Sequence, residues 1–185
     1  PPIVPANRAW IVDAFVVAAV LLVSAKHVLA LQEATNPQWL PYGQDFMDYL
    51  GYTLHFLDPE LMPPDQVRYP LPAWTASLLC RLQHVPPAVG MMQLSLFFSI
   101  LLPPSLYLLA SQIAPRAVAV IGSFWALHLT GMMQTLGTPS DYILCVVVQM
   151  LTLATGVIAL ARGGVWRFAV FGVASAFMMG VTSKG

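Results

Sequence analysis

Asp45 and Asp48 stand three residues apart, and Tyr52 and His55 follow at seven and ten residues from Asp45. In a helix, those offsets bring two carboxylates, a phenol and an imidazole to one face. These are side chains that take up and release protons in catalysis. Paired aspartates also bind Mg²⁺ or Mn²⁺ through oxygen, although two carboxylates alone fall short of a dedicated metal cage. The same four residues are equally the composition of a solvated helix face.

The element that must carry them runs from Gln44 to Leu57. It has no proline, and its single glycine is Gly51. Phe46, Leu50, Leu54 and Leu57 recur at helical spacing, which predicts a helix lying on a membrane surface. Its apolar side faces down, and Asp45 and Asp48 turn away from lipid. The helix opens the stretch Tyr42–Trp74, which holds Asp45, Asp48, Asp58, Glu60 and Asp65, five of the eight acidic residues. The stretch closes on Arg68-Tyr69-Pro70-Leu71-Pro72. Proline fixes its own φ and restricts the residue before it, so Val67–Tyr69 is expected to be extended. A new helix is expected near Ala73, with Pro72 in its first turn. Trp74, Leu78, Leu79 and Leu82 form its expected apolar side, and Arg68 and Arg81 flank it as anion partners.

The rest of the chain is strongly apolar. Hydrophobic residues make up 58% and charged residues 9%, with a mean hydropathy of +0.72. A soluble domain carries about 25% charged residues. This chain cannot cover a water-facing surface, so its lipid bilayer partner is read directly from composition. The formal net charge is zero, which gives no footprint for nucleic acid. Cys80 and Cys145 are far apart and lack metal-ligand spacing. Pro1 in place of Met leads to the expectation of a processed chain or a part of a longer one.

The fold class expected is an all-α polytopic membrane bundle of about five transmembrane helices in one domain, 1–185. Spans are expected at 8–32, 85–113, 117–136, 141–161 and 166–183, each near the roughly 20 residues that cross a bilayer. Residues 33–84 form an outer loop with surface helices. Pro103-Pro104 falls inside the second span and should kink it, which lipid tolerates only under protein or water cover. Arg162-Gly163-Gly164 is expected to turn the chain. Five spans put Arg8, Arg116, Arg162 and Arg167 on one side, and the acidic loop and Lys184 on the other. Positive loops stay in the cytoplasm, so the amino terminus is expected to be cytoplasmic and the acidic loop outside, in a bacterial inner membrane.

Order and spacing carry a family resemblance. Gly43-Gln44-Asp45 followed by Tyr49, the Arg68-Tyr69-Pro70-Leu71-Pro72 segment, Ser140-Asp141-Tyr142 at the head of the fourth span and Thr182-Ser183-Lys184 after the fifth are all involved. Together they resemble the amino-terminal half of a GT-C class glycosyltransferase, which takes sugar from a polyprenyl-phosphate carrier. Leu71 stands where the family's Tyr-Pro-Pro-Leu segment has its second proline, and family members have more spans. The resemblance implies a transferase acting on the outer side of the membrane. Asp45 or Asp48 would be the general base, or would hold a metal that activates the acceptor. Arg68 and Lys184 would pair with the donor phosphate, and Tyr49, Tyr69 and His55 would contact substrate.

Three other readings remain open on the sequence. A shortened scaffold of this kind could be a non-catalytic structural subunit of a larger membrane complex. His27 and His128, in the first and third spans, could ligate a haem or adjoin a quinone, although a lone membrane histidine more often bonds a neighbouring helix or water. A kinked second span and intramembrane Asp13 are the only support for a channel or transporter.

Overall fold

The computed structural model describes residues 9–35, 44–61, 70–135 and 141–182; at 9, 35, 44–49, 70, 126, 129–135, 141–143 and 180–182 it describes the backbone alone. The described residues are helical: α1 (Ala9–Thr35), α2 (Gln44–Leu57), α3 (Pro70–Gln83), α4 (Pro87–Ile113), α5 (Arg116–Thr135), α6 (Asp141–Arg162) and α7 (Val165–Thr182). The segments Trp10–Ala34, Pro87–Ile113 and Leu144–Arg162 are long and apolar enough to cross a membrane, and α5 and α7 contain the shorter apolar stretches Arg116–Trp125 and Val165–Met179. This is the all-α membrane architecture the composition demands.

The centre of the bundle is α4, which packs against α1, α5 and α6 along its length and against α2 and α3 near its start. It buries small residues and prolines beside larger ones: Gly90, Met91, Met92, Leu96, Ser99, Leu102, Pro103, Pro104, Ser105 and Tyr107. On α1, Val20, Ser24, Val28 and Gln32 are buried at every fourth position, and on α5 so are Ala119 and Ser123. Lipid tails are as apolar as leucine, so helices in a bilayer gain by close packing across small residues. Two of these buried hydroxyls are satisfied locally: Ser24 Oγ donates to Val20 O at 2.7 Å and Ser123 Oγ to Val120 O at 2.7 Å.

α4 continues through Pro103 and Pro104, which are buried under its neighbours. Each ring removes a backbone donor and crowds the preceding turn. The carbonyls of Ser99 and Ile100 thus lose their helical partners within protein rather than in lipid, the condition under which such a defect is tolerated. Ser99 Oγ is itself buried without a hydrogen-bond partner, as are Thr53 Oγ1 and Gln93 Oε1.

The expected α6–α7 turn is present and depends on glycine. Gly163 and Gly164 adopt φ of 62° and 95°, the left-handed region that costs other residues strain. Gly163 N–H donates to Ala159 O at 2.9 Å, and Arg167 Nη1 donates to the carbonyls of Arg162 and Gly163 at 3.1 and 2.8 Å. Those contacts satisfy the open end of α6. Across the same pair, Thr152 Oγ1 donates to Ala174 O at 3.2 Å.

Gly90 is needed for a different reason. A Cβ there would collide with Cys80 Sγ, at the crossing of α3 and α4. Overpacking a close contact typically costs about 1–3 kcal/mol. Gly90→Ala is therefore expected to lower unfolding stability in detergent by at least about 1 kcal/mol, whereas Gly122→Ala, with open space around it, should be neutral. Chemical denaturation of the two variants beside the parent checks this.

Candidate functional site

The acidic stretch is organised by two short helices held against the start of α4. Tyr52 of α2, Ala73 and Ala76 of α3, and Met91 and Met92 of α4 form one buried cluster, with Leu50, Phe56, Ala88 and Leu94 packed around it. Arg81 Nη2 donates to Phe56 O at 2.6 Å and so closes the carboxyl end of α2. Asp58 turns the chain beyond it: its Oδ1 accepts from Glu60 N–H at 3.2 Å, and its carbonyl from Leu61 N–H at 3.1 Å. This is an Asx-type turn feeding the 3₁₀ turn Pro59–Leu61.

The structure revises the expected arrangement of this stretch. Tyr52 does not share an exposed face with His55, because it is buried in the cluster beside Thr53. Within the expected stripe Leu50, Leu54 and Leu57 are half-buried, and the fully buried positions of α2 are Tyr52 and Thr53. α3 opens at Pro70, not near Ala73; a first-turn proline gives up only an N–H that has no helical partner anyway. Its buried side is Ala73, Ala76, Ser77 and Cys80, while Trp74, Leu78 and Leu82 are exposed. Small residues win that face because they let α3 approach α2 and α4 closely, which a leucine row would prevent. Arg81 remains exposed, with one of its N–H groups on the Phe56 carbonyl.

Cys80 lies at the same junction. It is buried, its Sγ is 3.9 Å from Pro86 O, and burial pushes the thiol up from its ordinary range. That is a packing cysteine, not a nucleophile.

The candidate chemical residues are distributed as follows. Asp45, Asp48 and Tyr49 lie in the first two turns of α2, with their side chains outside the described residues. Arg68, Tyr69 and Lys184 also lie outside the described residues. His55 is half-buried, its ring edge-on to Phe56 at 5.4 Å between centroids. Leu71, from the Arg-Tyr-Pro-Leu-Pro segment, packs with Phe98, Leu144, Cys145, Val148 and Met178. The end of the acidic loop is therefore joined to the middle of α4, the start of α6 and the end of α7. Among the described residues, no three His, Cys, Asp or Glu side chains converge on a possible metal position. His27 and His128 are both exposed, on α1 and α5. His128 lines a cavity of about 420 Å³ with Ile121, Phe124 and Trp125.

A second polar constellation sits at the opposite end of α4. Arg116 Nε and Nη2 donate to Asp13 Oδ1 and Oδ2 at 2.7 and 3.0 Å. Tyr107 Oη donates to Asp13 Oδ1 at 3.0 Å. A bidentate carboxylate–guanidinium pair with a phenol behind it fastens α1, α4 and α5 together. Asp13 is thus a structural partner, which removes its support for a transport path. The sequence signal for this triad was an aspartate inside an apolar span, which calls for a named partner; the partner itself came from elsewhere in the chain. The two constellations are separated along α4 by about 24 Å, the helical rise from Met91 to Tyr107.

No family model matches this chain, and no curated protein or solved structure matches it.

Proposed function

We propose that this protein is a membrane glycosyltransferase of GT-C type, taking sugar from a polyprenyl-phosphate donor on the side of the membrane opposite the arginine turns. One observation supports the reading most directly. α2, which carries Asp45 and Asp48, is packed against the start of α4, while the following segment joins the neighbouring ends of α6 and α7 through Leu71. An acidic helix at that boundary is where a lipid-linked phosphate and a water-side acceptor would meet. In this reading Asp45, seconded by Asp48, takes the acceptor proton. Arg68 and Lys184 stabilise the departing phosphate, and Tyr49, Tyr69 and His55 border the substrate. The direct test is transfer from a labelled polyprenyl-phosphate sugar in membranes carrying Asp45→Asn or Asp48→Asn.

The reading requires the acidic loop outside and the arginine turns in the cytoplasm of a bacterial inner membrane. Cysteines placed at exposed Glu60 and exposed Val165 report this with a membrane-impermeant maleimide. In right-side-out membranes, Glu60→Cys is expected to label and Val165→Cys to stay protected; native Cys80, buried with its thiol pushed up, adds little background. Label at Val165 but not at Glu60 reverses the orientation and removes the transferase reading. A correctly oriented protein without transfer activity leaves the alternative, a structural subunit of a larger membrane complex.

A further inference from the structure

The seam between α6 and α7 opens into a groove of about 610 Å³, lined among others by Phe98, Thr152, Thr155, Trp166, Val170 and Phe177. Its walls offer no free polar group from the threonines: Thr152 Oγ1 donates to Ala174 O and Thr155 Oγ1 to Thr152 O. From Trp166 to Phe177 it runs about 16 Å at the helical rise, close to the roughly 15 Å hydrocarbon depth of one leaflet. A helix about 10 Å across would displace on the order of 1,200 Å³ over that length. It would lie across the groove rather than in it. A single hydrocarbon chain suits both the width and the polarity.

The Trp166 end of the groove is charged. Arg162 lies two turns beyond Thr155 on the same face of α6, and Arg167 adjoins Trp166 at the start of α7; both are exposed. Arg167 uses Nη1 on the carbonyls of Arg162 and Gly163, which holds its guanidinium at the mouth of the groove. No acidic residue occurs between Tyr142 and Gly185, so this pair of positive charges is unbalanced in its own part of the chain. Arg116, in contrast, is already neutralised by Asp13. Unbalanced arginines at the headgroup level attract anionic lipid, and arginine pairs with phosphate through its planar fork.

We infer that the α6–α7 groove binds one anionic phospholipid of the arginine-side leaflet, with a hydrocarbon chain between the helices and its phosphate on Arg162 and Arg167. The phosphate end of the site is at the arginine turn, away from α2, and the inference does not depend on the transferase reading.

The test is native mass spectrometry of the full chain released from detergent containing equal palmitoyl-oleoyl phosphatidylglycerol and phosphatidylcholine. One phosphatidylglycerol should be retained in preference to phosphatidylcholine by roughly thirtyfold, the factor expected for two arginines near an anionic surface. The double variant Arg162→Gln/Arg167→Gln should bring that preference close to unity. Ala169→Phe, which fills the groove from an exposed position, should abolish retention of both lipids with helicity unchanged. Arg81→Gln, at the other end, should leave the preference as it was. Equal retention of the two lipids by the parent chain, a preference that survives loss of both arginines, or undiminished retention in Ala169→Phe would each overturn the inference.

Discussion

Asp45→Asn is expected to lower sugar transfer by about 10²–10⁴-fold, the range that a positioned general base contributes. The substitution keeps size and removes charge. Asp45 lies in the first turn of α2, whereas the residues that hold α2 in place, Tyr52, Thr53 and Phe56, come later and pack against α3 and α4. The helix should therefore survive the change. The first turn also faces the positive end of the helix dipole, which favours an ionised carboxylate there and so favours a base over an acid. Asp48→Asn should be the next most sensitive. Arg68→Ala and Lys184→Ala should weaken donor binding, because each removes a cation that a lipid-linked phosphate would pair with in a partly dry site. The measurement is transfer from a labelled polyprenyl-phosphate donor in membranes, normalised to folded protein. Parental rates in both aspartate variants would move the active site out of the first loop and leave the structural-subunit reading in its place.

Asp13→Ala is expected to act on stability instead of transfer. It removes the acceptor of Tyr107 Oη, a side chain with no exposed surface. Leaving such a group unsatisfied costs about 1–3 kcal/mol. It also strips Arg116 of both its carboxylate bonds. Arg116→Gln should be milder, because Asp13 remains to accept from Tyr107. The expected order is thus Asp13→Ala below Arg116→Gln below the parent in unfolding midpoint, read by denaturant titration in detergent. Transfer per folded molecule should be unchanged in both, since the triad lies at the opposite end of α4 from α2. Equal midpoints for the parent and Asp13→Ala would show that the triad does not hold α1, α4 and α5 together. A transfer defect without a stability defect would place chemistry where the proposal has only structure.

The sequence by itself determined the class of environment and the run of helices. With so few charged residues, the chain has no means of covering a watery surface, and hydrophobic length then sets where helices cross. The α2 limits Gln44–Leu57 were legible because apolar periodicity, the lack of proline and the bounding polar residues all agree. The α6–α7 turn was legible because paired glycines after an arginine end a helix for local reasons. Arg162 and Arg167 meet at the α6–α7 turn, and Arg116 meets Asp13 at one end of α4.

Which face of each short helix is buried depended on the packing partners that the fold supplies. On α3, Trp74, Leu78, Leu79 and Leu82 marked an apolar side, yet the packed side is filled by Ala73, Ala76, Ser77 and Cys80. Inside a bilayer, apolar size does not separate a protein-facing from a lipid-facing side, because both surroundings accept it equally. Closeness of approach does separate them, and it depends on a partner, here Gly90 of α4 against Cys80. Tyr52 was assigned to a polar face for the same reason: a phenol is compatible with water or with a core, and only the presence of Met91 and Met92 chose the core. Asp13 had to have a partner on electrostatic grounds, but its identity, Arg116 with Tyr107 behind it, required α1, α4 and α5 to be brought together from positions about a hundred residues apart.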